Sequence, residues 1–214
     1  MRPLTIENPK PLLKVAGKSL LEHTFSVLPQ EVDEVILVVG YLGEKIRNFC
    51  GDNFYGRPVT YVWQAEKLGT GYALRLCKPN LGKGRFLLLY ADDLHGSLGI
   101  RDCLRHERSL LISEHQNPKK FGVVTLNPDG SVKQIIEKPD DPPTNLVSTG
   151  AMVLDQSIFD YESDPHPNGE HYLTSMFDKM LKDHKVMAAR AERWFPIATP
   201  EDLLAAEKFI PPPS

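Results

Sequence analysis

The sequence predicts an α/β fold, a mainly parallel sheet covered by helices, and three features predict it. Strand-like and helix-like segments alternate along the chain. Residues 85–90 (RFLLLY) form a continuous apolar run of the kind found in a strand buried on both faces. No internal repeat or long linker interrupts the alternation, so residues 1–210 are expected to form one domain with a short tail at 211–214.

In chain order, residues 19–27 (SLLEHTFSV) place apolar side chains at 20, 21, 25 and 27 behind a Ser19 cap, the pattern of a helix packed on one face. Residues 32–40 and 59–64 are β-branched strand runs closed by Gly40 and Gln64, with a helix over 44–49 between them. A helix over 70–77 precedes the 85–90 strand, which stops at Ala91, Asp92 and Asp93. A helix over 98–107 and a strand over 110–114 follow, then a hairpin of 122–126 and 132–137 around Asn127, Pro128, Asp129 and Gly130. Strands are expected at 150–154 and 186–191, a Pro/Asn/Gly-rich loop at 164–169 and a helix over 173–183. Thr199, Pro200 and Glu201 supply a cap, a first-turn proline and an acidic first turn for a last helix ending at Phe209.

A net charge of −3 gives no broad basic field, which argues against nucleic acid as a partner. Any phosphate must be met locally. The three cysteines, Cys50, Cys77 and Cys103, show no metal-ligand spacing and are odd in number, so a reducing cytoplasm is expected rather than a disulfide framework. No apolar run approaches the roughly 18 residues a membrane span needs, and no membrane partner is expected. Homo-oligomerisation is allowed but not specified.

Four places could carry chemistry. Asp92 and Asp93 follow the most apolar strand, at the carboxyl end where ligands gather in open α/β sheets, and a hard cation such as Mg²⁺ favours such carboxylates together with substrate phosphates. Lys10 is presented from a stiff Pro9-Lys10-Pro11 segment. Glu137 and Lys138 close a strand, where a carboxylate can accept sugar hydroxyls and an ammonium can meet phosphate. Gln64, Leu68, Gly69 and Thr70 form a polar turn before a helix, where backbone N–H groups can face a nucleotide. Each alone is also what a solvated turn or surface ion pair looks like.

Together and in this order they resemble the sugar nucleotidyltransferase family. The resemblance runs from Pro3, Leu4, Thr5 and Pro9 to Leu13, through Gln64, Gly69 and Thr70, Ala91 to Asp93, Phe121 to Val124, Glu137 to Pro139, Ser148 to Gly150, Glu170, Leu173 and Thr174, to Trp194 and Thr199 to Leu203. It implies a Rossmann-like mixed sheet of the nucleotide-diphospho-sugar transferase type. It also implies transfer of a nucleotidyl group from a nucleoside triphosphate to a sugar 1-phosphate, assisted by Mg²⁺. By the same resemblance Asp92 would hold the metal and Lys10 would contact phosphate, as the catalytic pair. Gln64, Gly69 and Thr70 would face the nucleotide, and Gly122, Glu137, Lys138 and Gly150 the sugar phosphate.

Two departures stand out. The family opens with a buried strand and a GxGTR-type loop just ahead of the Arg2-Pro3-Leu4-Thr5 segment, and here Met1 stands there instead, so a first strand and glycine-rich loop are expected to be missing and Met1 to be internal to a longer protein. Where the family typically has an aspartate two residues after the tryptophan, this chain has Pro196, so Asp92 is expected to hold the cation alone or with help from Asp93. The alternative reading is a regulatory homologue that binds sugar phosphate or nucleotide and turns nothing over.

Overall fold

The structure, a computed structural model, describes residue 1 and residues 3–166 and 168–210. A 3₁₀ turn at Lys10–Leu12 leads into a two-stranded ribbon, β1 (Lys14–Val15) and β2 (Lys18–Ser19). Helix α1 (Leu20–Val27) starts where the sequence places it, because Ser19 and Glu22 close a reciprocal capping box. Its Leu20, Leu21 and Phe25 are buried.

Next come β3 (Val35–Val39), α2 (Gly43–Cys50), β4 (Asn53–Phe54) and β5 (Arg57–Trp63). Strand β3 pairs in parallel with β5, which pairs antiparallel with β4, giving a three-stranded sheet. Helix α3 (Thr70–Cys77), β6 (Phe86–Leu89), β7 (Asp93–His95), α4 (Ser97–Leu104) and β8 (Ser109–Glu114) follow. The hairpin β9 (Gly122–Leu126) and β10 (Val132–Glu137) has the expected bounds, and β11 (Leu146–Leu154) runs four residues longer at its start than the apolar run suggested. Helix α5 (Leu173–Met180), β12 (Met187–Arg190), β13 (Trp194–Pro196) and α6 (Pro200–Phe209) complete the order. Thr199 and Asp202 form the second capping box, ahead of α6.

The larger sheet has the order β10-β9-β11-β8-β12, with β6 also on β11. It corrects the expectation of a mainly parallel sheet. Strand β11 runs antiparallel to β6, β8 and β9, and among the described residues only β3 with β5 and β8 with β12 pair in parallel. The sheets are mixed. An apolar run reports burial of both faces and carries no information on strand direction. The two faces of β8 and β11 show that burial directly. Leu110, Ile112, Met152 and Leu154 join the core under α3 and α5, while Leu111, Ala151 and Val153 join the core under α4.

Strand β6 is different: Phe86 to Leu89 are all half-buried, where full burial was expected. The cause is a groove of about 970 Å³ between β3 and β6, which do not pair with each other. Apolar side chains of α1 (Leu21, Phe25) and α3 (Ala73, Leu74) also line it, and Asp92 stands at its carboxyl end. Among the described residues no helix is long and apolar enough to cross a membrane.

Candidate functional site

Lys10 and Asp92 meet. The Lys10 Nζ donates to Asp92 Oδ2 at 2.6 Å, joining segments 82 residues apart. Pro9 caps the short 3₁₀ turn and Pro11 continues it, so little freedom remains in the backbone that carries the ammonium. The two side chains keep 23% and 41% of their exposure, enough for a ligand to reach both. Upstream, Tyr41 donates its hydroxyl to the Ile6 carbonyl and Lys45 its ammonium to the Glu7 carbonyl. Residues 6–10 are thereby tied to the ends of both β3 and β6.

Asp93 turns away from this pair, which speaks for the first of the two expectations, Asp92 alone, over help from Asp93. Asp92 lies in the turn after β6, whereas Asp93 opens β7 and faces the strand paired with it. Asp93 accepts from the Trp194 indole Nε1 at 3.1 Å and from the Ile197 N–H at 3.2 Å, and its backbone lies opposite Pro196 in the β7–β13 ribbon. Removal from water pushes its carboxyl well above the ordinary range, and the neighbouring Asp92 charge adds to this. The two hydrogen bonds and Lys10 pull the other way. Its bonds tie Trp194 and Ile197, just ahead of the last helix, to the start of β7.

A second group gathers at the end of β10. Glu137 accepts from the Thr174 hydroxyl at 3.0 Å and pairs with the Lys138 ammonium at 3.3 Å. Gly122 lies beneath, where a Cβ would come within 3.2 Å of the Thr174 methyl and 3.1 Å of Ile135 Cδ1. Lys138 has a positive φ of 44°, rare for a residue with a side chain, and its N–H donates to the Phe121 carbonyl. Gly150 also has a positive φ, 76°, in the register shift between β11 and β8. A Cβ there would stand 2.4 Å from Tyr90 Cδ2, so glycine is what lets the Tyr90 ring lie on the strand.

Tyr90 is the residue that sequence reasoning missed. Its hydroxyl is pushed up to about 12, chiefly by removal from water, with the charges of Glu137, Asp92 and Asp93 adding to the shift and a hydrogen bond with Thr70 opposing it. The only signal was a hydroxyl-bearing aromatic closing an apolar run. No hydrogen bond or ion pair among the described residues joins Lys138 directly to Lys10 or Asp92.

The third group is the turn into α3. Gly69 takes φ 98°, and the turn is laced to the segment before α5. His171 N–H donates to the Leu68 carbonyl at 2.7 Å, Gly71 N–H to the His171 carbonyl at 2.8 Å, and Leu173 N–H to the Thr70 hydroxyl at 2.9 Å. Gly71's donor is therefore already engaged. Gln64 sits at the end of β5 with its N–H on the Val39 carbonyl, apart from these contacts.

Residues 1–212 match the description of one protein family, nucleotidyl transferase. The chain belongs to that family. It is 32% identical over 215 residues to the bifunctional protein GlmU of Methanococcus maripaludis, covering 98% of this chain and 51% of the relative. It is 30% identical to the UTP–glucose-1-phosphate uridylyltransferase AglF of Haloferax volcanii, covering 98% and 91%. The chain thus spans about half the length of the first of these relatives and most of the second. A crystal structure of UDP-glucose pyrophosphorylase complexed with UDP-glucose superposes with a TM-score of 0.83 at 22% identity, over 97% of this chain and 92% of that one, which establishes the shared fold.

For a nucleotidyl transferase the question is whether the acidic end of β6 suits a divalent cation. Among the described residues no three His, Cys, Asp or Glu side chains gather as a ligand set, so a cage built from protein alone does not fit. Mg²⁺ rarely uses one: it is commonly held by one or two carboxylates with substrate phosphates and water. Asp92, partly exposed beside Lys10, suits that arrangement, and Asp93 does not.

Proposed function

We propose that the chain transfers a nucleotidyl group from a nucleoside triphosphate to a sugar 1-phosphate, releasing pyrophosphate and forming a nucleotide-diphosphate sugar. The observation that carries this reading is the Lys10–Asp92 contact, a cation and an anion from distant segments held together at the carboxyl end of a strand. An oxygen of the sugar phosphate forms the new bond to the α-phosphorus, and the bond to the bridging oxygen of the leaving pyrophosphate breaks. Little covalent work falls to the protein, and positioning and charge compensation dominate. Lys10 compensates phosphate charge, and Asp92 holds Mg²⁺. The bound ion supplies charge neutralisation and polarises phosphoryl oxygen.

Gln64, Gly69 and Thr70 face the nucleotide, and Gly122, Glu137, Lys138 and Gly150 the sugar phosphate. Glu137 accepts sugar hydroxyls and Lys138 meets the phosphate. The uridylyltransferase relative supports a sugar 1-phosphate as acceptor. Residues 1–210 act as one unit, and the free, buried state of all three cysteines accords with a cytoplasmic setting.

The groove between β3 and β6 supports the finer part of the fold expectation, a further strand with a glycine-rich loop after it. A strand residue in a layered sheet occupies about 3.3 Å along the strand, 4.8 Å across it and 10 Å between layers, roughly 160 Å³. The 970 Å³ groove therefore has room for about six residues, close to the five of β3 and the four of β6. A strand there would lead its following loop out beside Asp92.

The test is pyrophosphate release from a panel of triphosphates and sugar 1-phosphates with Mg²⁺, using this chain and one extended ahead of Met1 by an apolar strand and glycine-rich loop. Turnover that Asp92→Asn abolishes supports the enzyme. Saturable ligand binding without turnover in either form would leave the regulatory homologue as the better reading.

A further inference from the structure

We propose that Tyr172 is a positioning residue for Lys138, fixing the ammonium that receives the sugar phosphate and tying it to the nucleotide turn; this rests on the function proposed above. A lysine at a strand end ordinarily sweeps a wide volume, because its four-carbon stem is flexible. Here the ammonium lies 4.8 Å above the centre of the Tyr172 ring, within the range of cation–π attraction. Glu137 holds it from one side at 3.3 Å, and the ring closes the other.

The ring is itself fixed. Its hydroxyl accepts from Asn168 Nδ2 at 2.8 Å, and the His166 ring meets it edge to face with centroids 5.0 Å apart. Its backbone sits between His171, which exchanges hydrogen bonds with Leu68 and Gly71, and Leu173, whose N–H is held by Thr70. Tyr172 precedes α5 but makes no side-chain cap bond to it, so the ring is not spent on supporting the helix. Among the described residues its ring also meets Lys138, and one three-residue stretch therefore connects the 68–71 turn to the ammonium at the end of β10. The Lys138 ammonium is correspondingly held charged: burial works against the charge, but Glu137 and then Tyr172 outweigh it.

The experiment compares Tyr172→Phe, which keeps the ring, with Tyr172→Leu, which removes it, in the chain form that turns over. Tyr172→Leu should raise KM for the sugar 1-phosphate about two- to fivefold, the factor equivalent to roughly 0.5–1 kcal/mol of cation–π attraction. KM for the triphosphate and kcat should stay within about twofold, and Tyr172→Phe should stay near the parent. In a Lys138→Met background, Tyr172→Leu should add nothing. A second readout needs no turnover: with ¹³C-labelled lysine, the Lys138 ε-methylene signal, identified by its loss in Lys138→Met, should be shifted upfield by the ring, keep that shift in Tyr172→Phe and lose it in Tyr172→Leu. An unshifted Lys138 signal in the parent overturns the inference, as does an equal rise in KM for both Tyr172 variants. A shifted signal in a protein that turns nothing over supports the placement of Lys138 and overturns the proposed reaction instead.

Discussion

Replacing Gly69 with alanine should be among the most damaging single-methyl changes this chain can suffer. The added Cβ would stand 2.5 Å from the His171 carbonyl oxygen and 2.7 Å from its nitrogen, so relief requires backbone to move by nearly 1 Å. That backbone is not free, since His171 donates to Leu68 and accepts from Gly71. Two hydrogen bonds at about 1 kcal/mol each are at stake. Gly69 also has φ 98°, a conformation that costs a residue with a side chain about 1–3 kcal/mol. Together these put the cost at about 3–5 kcal/mol, a large part of the roughly 5–15 kcal/mol that stabilises a domain. Urea denaturation followed by far-UV circular dichroism would measure it, with Gly82→Ala as the control, because a Cβ at Gly82 meets nothing within 4 Å. If Gly69→Ala costs less than about 1 kcal/mol, the close approach between the 68–71 turn and His171 is wrong, and with it the linkage from that turn to Tyr172.

Lys10→Met should lower turnover yet, without nucleotide, tighten Mn²⁺ binding in a calorimetric titration by up to about fivefold, because the ammonium 2.6 Å from Asp92 competes with the ion for the same carboxylate. Weaker binding would mean that Lys10 helps to build the cation site. Asp155→Ala should destabilise the fold by about 1–3 kcal/mol in urea melts, since it takes the partner at 2.6 Å from the largely buried Arg108 and leaves it only the more exposed Glu107. Burial works against the Asp155 charge, but hydrogen bonds from Ser157 and the Arg108 guanidinium hold its carboxyl below the ordinary range. The stability it contributes is therefore present above about pH 4 and is lost as pH falls through its lowered pKa, so parent and variant should converge in strong acid. In hydrogen exchange, amides of β11, paired on both edges, should be the slowest, and those of β3 and β6 facing the groove should gain protection only when a strand occupies it.

The features legible in the sequence are those whose causes lie within a few residues. The Ser19 and Thr199 caps work through a partner three positions on, and the 122–137 hairpin is fixed by its own turn. The ribbon of β7 and β13 was invisible because each strand has three residues and their contact spans about a hundred positions. Asp93 is an intermediate case, since its place at the start of a short strand is set by the distant β13 and the sequence shows only two adjacent acids. The Lys10–Asp92 pair became legible only as part of an ordered set of motifs resembling a family, because neither residue carries a local signal of the other. Tyr172 carries no signal and Tyr90 only its place at the end of an apolar run: Gly150 seats the Tyr90 ring, and the 171–173 segment sets the Tyr172 ring beside a charge.

The same distinction explains why the site can be so nearly assembled while β6 stays half-buried. Lys10 reaches Asp92 through a proline-stiffened turn, Glu137 and Lys138 are held by Thr174 and Tyr172, and Gly150 leaves room for the Tyr90 ring, all through contacts on the far side of β6 or at its end. None of these needs the edge of β6 that faces β3. The groove can therefore stand open without scattering the residues at its carboxyl end. Filling it would change what lies over Asp92 rather than where Asp92 is, so an added strand should raise triphosphate affinity far more than it moves the Lys138 signal.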